Sequence, residues 1–130
     1  MSAEKALLNA YAEWRRLARA TGRAIQLRNW KLVLECQAVI QQLQPSITRL
    51  TREARAEWKK SGADPAAREE KIHRVVRELM AMVKANNSLL TTARKTAESE
   101  RKQLEQASQN LKRLQKSYVP GRPAAWTSVS

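Results

Sequence analysis

The stretch Ile72–Tyr118, IHRVVRELMAMVKANNSLLTTARKTAESERKQLEQASQNLKRLQKSY, decides the fold. It contains two interleaved seven-residue series. Ile72, Leu79, Asn86, Ala93, Glu100, Ala107 and Leu114 form one, and Val76, Val83, Leu90, Ala97, Leu104, Leu111 and Tyr118 form the other. Alternating steps of three and four place both series on one helix face, as a seam that faces other helices. No Gly or Pro falls between Pro65 and Pro120, so nothing local interrupts the helix. At 1.5 Å per residue it would run roughly 80 Å, longer than the rest of a 130-residue chain can wrap.

Upstream, two shorter amphipathic helices are expected. The first carries Leu7, Leu8, Tyr11, Trp14, Ala18, Thr21 and Ile25 in steps of three and four, with Gly22 a weak spot inside it. Arg28-Asn29-Trp30 reads as a tight turn in which Asn29 caps the next helix. The second helix carries Leu34, Cys36, Val39, Ile40, Leu43, Ile47, Leu50, Ala54 and Trp58. Pro45 lies inside it and is expected to kink rather than break it, because apolar spacing continues on both sides. Gly62 ends that helix, Asp64 caps the third and Pro65 opens it.

These signals predict an all-α fold: a three-helix antiparallel bundle or coiled coil with an extra-long C-terminal helix. The expected helices are about 3–28, 30–61 and 65–118, in a single domain over 1–118, followed by an extended tail over 119–130. The third helix should overhang its companions from about Ala97 to Tyr118. An overhang still patterned with Leu104, Leu111 and Leu114 should self-associate, fold back or bind another protein's helices.

Charge narrows the partners. Lys and Arg number 25 against 12 acidic residues, for a net +13. That balance invites nucleic acid, an anionic membrane or an acidic protein. Arg15, Arg19 and Arg23 form a basic ridge at four-residue spacing and are the candidate polyanion contact. The excess is spread along the chain, with 12 basic and 5 acidic residues in 1–60, 5 and 4 in 61–93, and 8 and 3 in 94–130. Helical nucleic-acid readers concentrate charge on one short element, so this spread disfavours nucleic acid.

Signatures of catalysis are missing. His73, the single histidine, has no Cys or Asp at metal-ligand spacing, and Cys36 reads as a small core filler. Glu69 and Glu70 offset the dipole of the third helix, and three isolated glycines make no phosphate loop. No enzyme, cofactor or metal is expected. With one cysteine, no apolar signal core and no run long enough to span a bilayer, the expectation is a soluble cytoplasmic protein without membrane insertion. Trp14, Trp30 and Trp58 are expected as packing anchors near the bundle ends.

Three segments, in order, resemble one family. IQLRNW (25–30) is similar to the turn linking the first two helices of the FlgN-type flagellar export chaperones. KANNSLLTTAR (84–94) resembles their Asn-rich centre followed by an apolar pair and a basic residue, and LKRLQKSYVPG (111–121) their closing Leu-rich turn. The likeness extends from about Leu7 to Gly121. It implies a chaperone whose long last helix binds the helical ends of hook-filament junction proteins and delivers them to the type III export apparatus. By position it implies a client-binding stripe of Leu104, Ala107, Leu111 and Leu114, and an export-gate contact at Tyr118. Two features lie outside the resemblance: the net charge, where such chaperones are commonly acidic or near neutral, and the tail from Arg122 to Ser130 with Trp126. The alternatives are a structural coiled coil that forms a homodimer or trimer through the same overhang, and a basic nucleic-acid-binding protein.

Overall fold

The computed structural model describes residues 2–117. It contains three helices, α1 (Ala3–Gln26), α2 (Trp30–Ser61) and α3 (Pro65–Ser117), and no strand among the described residues. By its internal packing the chain divides into two units, Met1–Thr91 and Thr92–Ser130. Tyr118, the tail over 119–130 and Trp126 lie outside the described residues.

Each helix is bounded by the chemistry its sequence announces. Ser2 caps α1, its hydroxyl accepting from the Lys5 amide at 3.1 Å. The Glu57 carboxylate, from near the end of α2, accepts the Ala3 amide at 3.0 Å and sets negative charge at the positive end of α1. At the other end of α1 the chain turns on Arg28, a non-glycine residue with φ of 56°. The Asn29 amide bonds Ala24 O and the Arg28 amide bonds Ile25 O, which together close the last turn of the helix. The Asn29 side chain also accepts from the Leu32 amide at 3.3 Å, so one residue finishes α1 and starts α2. Gly62 takes the left-handed conformation (φ 70°) that ends α2, and Asp64 accepts the Ala66 amide to start α3. α2 runs through Pro45, and α1 through Gly22, without a break.

The core of the first unit draws on all three helices. Ala3, Leu7, Tyr11 and Ala18 of α1 cluster with Ile47, Ala54 and Trp58 of α2 and with Ile72 and Leu79 of α3. Leu7 and Leu79 are fully buried, and full burial of such a side chain is worth roughly 1.5–3 kcal/mol. Ion pairs join the helices at the margin: Arg55 to Glu69 at 2.7 Å, Arg68 to Glu4 at 2.8 Å and Arg15 to Glu78 at 3.9 Å.

The periodicity needs two corrections. On α1, Leu17 and Ala24 are buried alongside the expected stripe. On α2 the inward series is Val33, Cys36, Ile40, Leu43, Ile47, Leu50 and Ala54, in strict steps of three and four. Leu34 lies one residue, about 100°, off that series and is 66 % exposed, and Val39 is exposed for the same reason. The three tryptophans divide. Trp58 is buried and Trp14 packs partly buried against the core, but Trp30 is 42 % exposed at the α1–α2 turn and lies outside the core cluster.

Candidate protein-docking site

The described residues of the second unit belong to α3 alone. Every residue from Arg94 to Ser117 is exposed. Within this stretch Leu104 is 71 %, Leu111 62 % and Leu114 37 % exposed, and Ala107 is exposed between them. At about 100° and 1.5 Å per residue, the four fall within roughly 80° of arc and 15 Å of axis. They form a narrow apolar stripe of the width that one partner helix covers.

The flanks of the stripe are mostly polar. Gln103, Ser108, Asn110, Gln115 and Ser117 border it, with Arg101 and Lys112 along one side and Glu100 in line one turn before Leu104. The Gln106 amide donates to Asn110 Oδ1 at 3.1 Å, one turn along, and Ser117 Oγ donates to Leu114 O at 2.9 Å. Lys102 pairs with Glu98 at 3.9 Å on the face away from the leucines. Such exposed i,i+4 pairs contribute about 0.3–0.5 kcal/mol each toward helix.

In the first unit the seam meets a polar residue. Asn86 is half-buried, and its amide nitrogen donates 2.8 Å to Ala18 O on α1. Directly across lies Gly22, where an added Cβ would stand 2.8 Å from Asn86 Oδ1. Gly22 therefore admits the amide to the α1 backbone, a role invisible in either residue alone. A cleft of about 330 Å³ opens beside this contact, between Trp14, Gln41, Val83 and Asn87.

The basic ridge is real as geometry. Arg15, Arg16, Arg19 and Arg23 line an open groove of about 460 Å³ on the outer face of α1. Arg16 is held by Glu13, whose carboxyl that guanidinium keeps below its usual range, and Arg15 approaches Glu78. Arg19 and Arg23 carry no ion pair among the described residues.

Of the residues weighed for chemistry, Cys36 is buried as a free thiol and His73 is exposed, 4.0 Å from Glu69. Among the described residues no group of three or more His, Cys, Asp or Glu could hold a metal ion, and no helix is long and apolar enough to cross a membrane. Sequence reasoning passed over Leu27, 79 % exposed at the α1–α2 turn. Its phase against Ile25 and Ala18, both buried and roughly half a turn of arc away, was the available signal. No family model matches this chain, and neither does any curated protein or solved structure.

Proposed function

We propose that this protein is a non-enzymatic helical chaperone of the FlgN type. In this reading it acts in the cytoplasm, shields the amphipathic terminal helices of hook-filament junction proteins and delivers them to the export apparatus. The client helix completes the seam begun by Leu104, Ala107, Leu111 and Leu114, and Tyr118 meets the export gate. The observation that carries this reading is the exposure of Leu104, Leu111 and Leu114 on one face of α3. Covering them exchanges wet apolar area for buried area at about 25 cal/mol per Å², less the cost of ordering the client.

The proposal includes an antiparallel, up-down-up course for the three helices. Its support is the pairing of Ala3 with Glu57 and of Arg55 with Glu69. A coiled-coil homodimer is the second reading, since it would use the same stripe. A parallel pair of copies would set Glu100 of the seam against its own copy, a like-charge contact that a client with a basic or polar residue there avoids.

The test is affinity capture from cell lysate with three baits: wild type, Leu104→Glu with Leu111→Glu, and a chain ending at Thr96. One helical protein retained by wild type alone is the expected result. Equal capture by all three baits would place the client elsewhere. Sedimentation at several concentrations separates the two readings, because a stable homodimer leaves no stripe for a client.

A further inference from the structure

The α1–α2 turn presents a second exposed apolar group, in the first unit and apart from the α3 stripe. Leu27 is 79 %, Trp30 42 % and Leu34 66 % exposed, and Trp30 and Leu34 share a face of α2 one turn apart. Residues 15–34 around them hold six Arg or Lys and no Asp or Glu, although acids make up about a third of the chain's charged residues. Arg19 and Arg23, the cations of the α1 groove that form no ion pair among the described residues, stand about two turns and one turn before Leu27. Lys31 sits between Trp30 and Leu34, also without an ion pair there, and the nearest acid in sequence is the exposed Glu35.

We propose that this turn is a docking site for the surface of an anionic phospholipid bilayer. A duplex nucleic acid would use the cations but has no place for two exposed leucines. An acidic peptide helix needs a groove with apolar walls, whereas the groove beside these side chains is walled mainly by arginines. A bilayer interface accepts both groups: Leu27 and Leu34 enter the acyl boundary, Trp30 lies at the headgroup level, and Arg19, Arg23 and Lys31 meet lipid phosphates. Nothing spans the membrane in this arrangement.

The full-length protein is sedimented with vesicles of three parts phosphatidylcholine to one part phosphatidylglycerol, and with phosphatidylcholine alone, at about 0.1 M salt. Wild type is expected to pellet with the anionic vesicles only. Arg19→Gln with Arg23→Gln, and separately Leu27→Asn with Leu34→Asn, should each lower the partition coefficient by roughly tenfold or more. All four positions are exposed, and a thermal melt by circular dichroism verifies that each variant stays folded. Failure of wild type to pellet overturns the proposal. So does unchanged pelleting of the leucine variant, because any polyanion would then serve, or an equal loss from Lys95→Gln with Lys102→Gln, which would spread the contact over the whole chain.

Discussion

Gly22 and Asn86 are each unfavourable where they stand, and become intelligible only as a pair. Glycine inside a helix costs about 1 kcal/mol against alanine, and an amide on a coiled-coil seam costs stability too. Together they place the Asn86 amide on the α1 backbone. Gly22→Ala should therefore be neutral or destabilising in the wild type, because the new methyl displaces Asn86 and breaks its bond to Ala18 O. In an Asn86→Ala background the same change should stabilise by about 1 kcal/mol, and a double-mutant cycle by urea unfolding reads the coupling. Additive effects would mean that the contact carries no energy. Gly22 stood out in the sequence as a weak spot, and Asn86 is a polar residue within the seven-residue series. Their partnership did not stand out, because a helical period fixes the face of each residue but not the level at which two helices meet. Leu34 and Val39 differ in face rather than level: counted simply as apolar they enter the α2 stripe, and only the strict series through Val33 and Cys36 excludes them.

Between elements, the clearest electrostatic link is Arg55 of α2 with Glu69 of α3. The hydrogen bond from Arg55 holds the Glu69 carboxyl below its ordinary value of 4.5. A carboxylate lowered in the folded state adds stability that is fully present above the unfolded value and drains away as pH falls through the folded one. Arg55→Gln should thus lower the melting temperature slightly at pH 7, and the gap from wild type should close as pH drops below about 4.5. A gap that stays constant into acid would deny the pair any role. The effect is small, since both side chains remain partly in water. The second half of α3 behaves differently. Leu104→Glu with Leu111→Glu removes side chains already exposed, so the melting temperature of the free protein should move by no more than a degree or two. A fall of several degrees would show that these leucines belong to a core. The seam of α3 was legible as a pattern over its whole length, and yet only Ile72 and Leu79 of it are fully inside. Periodicity reports what a helix is able to bury, not how much of it is covered.

At the scale of the whole molecule, the two units should differ in how firmly their backbones are held. Amides flanking Leu7, Ala18, Ala54 and Leu79 open only with the loss of a shared core, whereas those from Arg94 to Ser117 rely on local helix and short polar pairs. Hydrogen exchange followed by mass spectrometry should show the latter exchanging at least a hundredfold faster, as roughly 3 kcal/mol of difference in opening energy implies. Exchange of 94–117 should slow on addition of a client and leave the first unit nearly unchanged. Equal protection in the free protein would point to self-association through α3.

Asn29 closes one helix and opens the next with no spare residue between the two roles. The hairpin is thus a joint without slack, and the phase of α2 is locked to that of α1. Inserting a single residue there would turn the start of α2 by about 100° and swing Val33 and Cys36 toward water, with Leu32 and Glu35 taking their inward places. Lengthening this linker should thus be far more disruptive than its place on the surface suggests, and any natural variation in its length should arrive with a compensating shift along α2.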